Sequence, residues 1–182
     1  EVPFIPGRGF AGLVEAPPKK PLIAAVEGYA LAGGCELAIC CDMVVAADNA
    51  RFGIPEVKRG LAAAAVGLMR LPRQLPYRVA MELALTGEFL DAERALQLGL
   101  VNQLTGAGEA LQAAQALAQK IAANGPLAVR LSKQVLKESQ DWSEHEMFAK
   151  QQEILEPVFT SEDAIEGATA FAEKRAPNWK GR

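Results

Sequence analysis

Apolar positions change their spacing twice along the chain. Up to residue 20 they follow no period. Pro3, Pro6, Pro17 and Pro18, with Gly7, Gly9 and Gly12, leave room for a helical turn or two at 10–15 only. From Pro21 short unbroken apolar runs take over: 21–26 and 43–47 have the length of buried strands, and 51–54 is a third. Between the first two, Gly33-Gly34 open a short buried helix over 35–40. Strand, helix and strand so close together predict a parallel βαβ arrangement. Beyond Gly60 the spacing becomes helical, with helices expected at 63–71, 75–85 and 92–98, the last between an Asp91 N-cap and a Gly99 stop. Ala110, Ala114, Leu117 and Ile121 share one face of a helix over 109–123. Asn124-Gly125 ends it and Pro126 opens the next. Ser143-x-x-Glu146 forms a capping box for a helix running to about 155, and Ser161 caps a last one ending near Lys174. The pattern predicts a mixed α/β body, 1–124, followed by a helical region, 125–182.

Composition narrows the class. Half of the 182 residues are apolar and 23% charged, enough for a sizeable core and too apolar for a disordered chain. A net charge of −3 with 6% aromatics argues against a general nucleic-acid binder, which needs a basic face. The longest uncharged apolar run, 60–69, is too short to cross a bilayer, and no export signal opens the chain. Cys35, Cys40 and Cys41 are crowded together and the single histidine, His145, lies far downstream. The expectation is therefore reduced thiols in a cytoplasmic protein, with no metal site. The opening residue is Glu1, which suggests that a segment has been lost upstream.

The segment Gly28-Tyr-Ala-Leu-Ala-Gly-Gly-Cys-Glu-Leu37 carries the strongest chemical signal. Glycines directly before a helix let a ligand approach the backbone, and the first helical amides face an anion or polarised carbonyl. Glu36 belongs to that first turn. The same residues also fit a plain tight turn with an acid complementing the helix dipole. A second acid stands in Phe52-Gly53-Ile54-Pro55-Glu56, after a short strand, where side chains converge on clefts. Two carboxyls beside one apolar pocket do not both ionise cheaply, so one is driven towards the neutral acid. Such a pair next to N–H donors suits proton transfer beside a carbonyl; a surface role for Glu56 beside Lys58 and Arg59 stays open. Within 28–37 there is neither GxGxxG nor GxxxxGK[ST], which disfavours a nucleotide phosphate loop at this helix. Lys174-Arg175 and Lys180 form a modest basic cluster suited to a phosphate or to a helix C-terminus.

Taken together, Lys20 to Ala38 with its GGCEL core, Cys41-Asp42, Phe52-Gly-x-Pro-Glu56, Leu85-Thr-Gly87, Ala95-x-x-x-Gly-Leu-Val101 and Phe171-x-Glu-Lys-Arg175 resemble the enoyl-CoA hydratase (crotonase) family. The resemblance implies an α/β fold, a spiral of ββα turns followed by a helical region that builds trimers, often paired into hexamers. It implies acyl-CoA thioester substrates, with coenzyme A as part of the substrate and no separate cofactor, nucleic acid or membrane partner. Residue by residue, Glu36 and Glu56 correspond to the two catalytic glutamates of hydratases, one activating water and the other handling the proton at C2. Gly33 corresponds to an amide of the oxyanion hole. Ala64 stands where the family has a glycine whose N–H helps to seat the water. Phe171 and Lys174 correspond to positions on the last helix that reach the adenine-phosphate end of CoA, often on a neighbouring subunit, and residues 1–15 to the variable lid over the acyl chain.

The departures also matter. The family's N-terminal turns, with the second oxyanion donor in a SAGAD-type loop, have no counterpart, so the resemblance implies a fragment or the ordered part of a longer protein. Ala64, Ala32 and Glu27 replace two glycines and an asparagine; the last two look minor. Hydration of a 2-enoyl-CoA is the leading expectation. The alternatives are another crotonase-fold reaction (isomerisation, specialised dehydration or hydrolysis) and a non-catalytic acyl-CoA binder.

Overall fold

The computed structural model describes residues 3–182. They divide into two compact units: residues up to 18 with 22–117, and residues 19–21 with 118–182.

The first unit opens with a hairpin, β1 (Phe4–Ile5) against β2 (Gly9–Phe10), where a helical turn was the expectation around residue 10. The chain then repeats a two-strand-and-turn pattern. β3 (Ile23–Val26) and β4 (Tyr29–Leu31) lead into α1 (Gly33–Ala38); β5 (Met43–Ala47) and β6 (Arg51–Gly53) lead into a 3-10 turn, Pro55–Arg59. The first strand of each pair joins one sheet and the second joins another: β3 pairs in parallel with β5, and β4 in parallel with β6. This sorting follows from burial. Val45, Ala46 and Ala47 of β5 are completely buried, so the unbroken run 43–47 needs cover on both faces.

Helices α2 (Gly67–Gln74) and α3 (Tyr77–Thr86), strand β7 (Leu90–Asp91), α4 (Ala92–Gln97), β8 (Gln103–Thr105) and α5 (Ala110–Ala122) follow. β7 closes antiparallel on β6, and β8 adds in parallel to β5. Both strands, like β4, are too short to show a period and lay hidden in a region that reads as helical. Asn102 sets the register of β8: its backbone N–H donates to the Val44 carbonyl and its Oδ1 accepts from the Val44 N–H, each at 2.8 Å. Glu27 is not a minor substitution. Its carboxylate accepts from Gly108 N–H at 2.9 Å and Ala110 N–H at 2.8 Å, capping α5 from across the sequence.

Two expected helix starts move. Residues 64–66 form a turn, so the helix expected at 63 begins at Gly67; Pro76 is extended, with φ −50° and ψ 133°, so the next begins at Tyr77. Asp91 caps α4 as expected, its Oδ1 accepting from Arg94 N–H at 2.8 Å.

The second unit is helical: α6 (Pro126–Glu138), α7 (Met147–Phe159) and α8 (Glu162–Glu173). Pro126 is the first residue of α6, and Ser161 Oγ caps α8 by accepting from Ala164 N–H at 3.0 Å. The capping box at Ser143 differs from expectation. The Ser143 hydroxyl donates to the Glu146 carboxylate rather than capping the helix, which starts at Met147 and continues to Phe159. The C-terminal segment packs back on this unit: Trp179 Nε1 donates to the Ala123 carbonyl at 2.7 Å, and buried Asp163 accepts from Lys180 and Gly181 amides.

Candidate active site

β4 delivers the chain to Ala32, the residue before α1, in a backbone conformation that strongly favours glycine: φ 50°, ψ −128°. Its N–H donates to the Gly53 carbonyl at 2.9 Å, and its carbonyl accepts from Glu36 N–H at 3.0 Å, so it ties β6 to the first turn of α1. The alanine is thus strained where sequence reading treats it as neutral. Ala32→Gly is expected to raise thermal stability by about 1 kcal/mol, the relief of strain outweighing the added chain entropy; chemical denaturation checks it.

Gly33 opens α1, and its amide, as one of the first of the helix, has no acceptor within it. A Cβ there lies 2.7 Å from the Phe10 ring, so only glycine fits beneath that ring. Cys35 points into the core, where burial pushes its thiol up to about 12, unsuited to nucleophilic work.

Glu36 is only 4% exposed, yet among the described residues no basic side chain forms an ion pair with it. Its Oε1 accepts instead from the backbone N–H groups of Val66 at 2.9 Å and Gly67 at 2.8 Å. The start of α2 therefore serves as the counter-charge, with two charge-assisted bonds that fix the carboxylate. These amides are the functional groups that sequence reading missed; the small-residue run 62–67 was the available signal, and Ala64 drew the attention. Ala64 itself is exposed in the turn before α2 and is not among the residues lining the cleft described below. A Cβ on Gly67 meets Ala63 Cβ at 2.8 Å, Glu36 Oε1 at 3.2 Å and Ile54 Cγ2 at 3.3 Å, all buried. Gly67→Ala is expected to cost about 2 kcal/mol by overpacking and to displace the carboxylate; a lowered Tm with reduced turnover is the measured result.

Glu56 comes from the 3-10 turn after β6. Its Oε2 is buried and has no hydrogen-bond partner among the described residues. Burial raises its carboxyl above the usual glutamate range; the charge of Glu36 pushes the same way, while its own backbone N–H and Arg59 pull back. The two carboxyls thus sense each other in an arrangement that drives one towards its neutral form. Glu56 lines a cleft of about 610 Å³ with Leu31, Ala32, Pro55, Leu61 and Phe89, an apolar surround with Lys58 and Arg59 added.

Gly33, Glu36, Glu56 and Ala64 all belong to the first unit. Phe171 and Lys174 belong to the second: Phe171 is 87% exposed on the last turns of α8, and Lys174 closes that helix in the left-handed region, φ 55°. No helix among the described residues is long and apolar enough to cross a membrane.

The comparisons agree with this architecture. Residues 16–182 match the family described as enoyl-CoA hydratase/isomerase. The carnitinyl-CoA dehydratase of Escherichia coli (strain K12) is 44% identical over 184 positions, taking in 98% of this chain and 70% of that protein. Its counterpart from Proteus mirabilis (strain HI4320) is 41% identical, over 96% and 69%. Among solved structures, the enoyl-CoA hydratase from Mycobacterium tuberculosis H37Rv aligns with a TM-score of 0.97 at 62% identity, covering 98% of this chain and 71% of that one. The enoyl-CoA hydratase from Bacillus anthracis aligns with a TM-score of 0.87 at 37% identity, covering 90% and 64%.

Proposed function

The chain belongs to the enoyl-CoA hydratase/isomerase family and has the crotonase fold, and on that premise we propose that it adds water across the C2–C3 double bond of a 2-enoyl-CoA thioester. The thioester oxygen takes the N–H of Gly33, which stabilises the enolate-like charge as it develops; a single such donor is worth about 3 kcal/mol of barrier. Glu36, anchored through one oxygen by the Val66 and Gly67 amides, uses the other to orient and deprotonate the water that attacks C3. Glu56, whose carboxyl holds its proton above the usual range, delivers a proton to C2. Water's hydroxyl ends on C3 and the proton from Glu56 on C2. Glu36 then releases the proton it took and Glu56 regains one by exchange with solvent, so the pair is reset and the reaction needs no cofactor beyond the CoA of the substrate. Phe171 and Lys174 are the positions proposed for the adenine-phosphate end of a CoA bound at a neighbouring subunit. The observation that carries the reading is the unpartnered, buried oxygen of Glu56 in an apolar cleft, paired electrostatically with an amide-held Glu36.

Crotonyl-CoA mixed with the protein is expected to lose its enoyl absorbance and yield 3-hydroxybutyryl-CoA. Intact binding of the thioester with no turnover at any chain length defeats the reading.

A second reading, dehydration of a specialised 3-hydroxyacyl-CoA, is favoured by the carnitinyl-CoA dehydratases at 41–44% identity. It runs the same proton transfers in reverse, so product analysis on carnitinyl-CoA and 3-hydroxybutyryl-CoA separates the two. Assembly as a homotrimer or hexamer is part of the proposal, supported by the exposed apolar Leu136, Phe148, Phe159 and Ile165 of the helical unit; light scattering measures it.

A further inference from the structure

The cleft at Glu56 is apolar along Leu31, Leu61 and Phe89 and cationic at one side, where Lys58 and Arg59 also line it. The two cations differ. Lys58 Nζ lies 2.7 Å from Glu88 Oε1 and 5.9 Å from the centroid of Phe89, with its carbon chain against Gly87. Its charge is answered and its side chain is occupied in bracing the turn that carries Phe89. Arg59 is exposed at the cleft, three residues beyond Glu56, and its charge reaches the Glu56 carboxyl. For an acyl chain placed with its C2 at Glu56, as the hydratase reading has it, the cleft around it is lined by Leu31, Leu61, Phe89 and the cation of Arg59.

We propose that Arg59 is a specificity-determining residue that favours acyl groups ending in a carboxylate and disfavours those ending in a quaternary ammonium. This deepens the hydratase reading and rests on it for the position of the thioester. On this proposal the chain disfavours an acyl group of the carnitinyl kind, which carries a cation. The guanidinium offers a planar fork to a carboxylate. In a cleft walled by apolar side chains, opposite charges several ångströms apart differ from like charges by far more than in open water.

The test is binding of three saturated thioesters to the protein by calorimetry: butyryl-CoA, glutaryl-CoA and 4-trimethylammoniobutyryl-CoA. Dividing each affinity by that of butyryl-CoA removes the contribution of CoA and of any change at Glu56. The wild type is expected to bind glutaryl-CoA at least about tenfold more tightly than the cationic analogue. Arg59→Glu is expected to lower that ratio by about a hundredfold, Arg59→Lys to preserve most of it, and raised salt to compress it. An equal ratio in wild type and Arg59→Glu, or a wild-type preference for the cationic analogue, overturns the proposal. Crotonyl-CoA turnover is recorded in parallel: failure there with the charge ranking intact counts against the hydratase reading alone.

Discussion

Glu56→Gln is expected to lower kcat/KM for crotonyl-CoA by about 10²–10⁴-fold, the usual contribution of a positioned acid–base group, while leaving the fold intact. The amide matches the carboxyl in shape but can neither give nor take the proton at C2. Stability supplies the control. The carboxyl of Glu56 holds its proton more tightly in the folded protein than in an unfolded chain, because burial and the Glu36 charge oppose its ionisation. A raised folded pKa makes the ionised form a penalty on folding that is absent at low pH and grows as pH rises through the shifted value. Glutamine removes that penalty, so Glu56→Gln is expected to melt no lower than wild type at pH 8. Loss of turnover together with a lowered Tm indicates a structural role instead. The pH profile gives a second sign. In the dehydration direction Glu56 acts as the base and must be ionised, so the acidic limb of kcat/KM lies above the ordinary glutamate range and vanishes in the variant.

How much of this was legible in the sequence depends on the range of the interaction. The buried runs 21–26 and 43–47 announced β3 and β5 because continuous apolar stretches of that length fit strands covered on both faces. The local caps at Asp91 and Ser161 and the start at Pro126 were readable for the same reason: each acts within four residues. β4, β7 and β8, of two or three residues each, are strands by virtue of their partners, and no local period marks them. The site divides in the same way. Glu36 and Glu56 stood out through their glycine and proline surroundings, and the resemblance linked them. That Glu36 is held by the amides of Val66 and Gly67, thirty and thirty-one residues on, follows only from the folded path of 61–67. The roles of Glu27 at α5 and of Asn102 at β5 are equally non-local, and a conservative substitution at either position carries no sign of it in the sequence.

That non-local anchor gives Glu36 the second large expected effect, because one side chain serves both stability and chemistry. In Glu36→Ala two buried amides lose their shared acceptor and a cavity opens beneath α2. An unsatisfied buried donor costs about 1–3 kcal/mol, so the pair is expected to cost about 4 kcal/mol, and a chain of this length then melts about 8–16 °C lower. Glu36→Gln separates the two roles. Its carbonyl oxygen still accepts from Val66 and Gly67, so most of the stability is retained, although the charge assistance is lost. Its NH₂ group replaces the oxygen that takes the proton from water, so turnover falls as far as in Glu56→Gln. The expected pattern is therefore an inactive but stable Gln variant beside an inactive and unstable Ala variant. If Glu36→Gln keeps wild-type kcat while Glu36→Ala unfolds, Glu36 is a helix anchor only, and another residue is the general base.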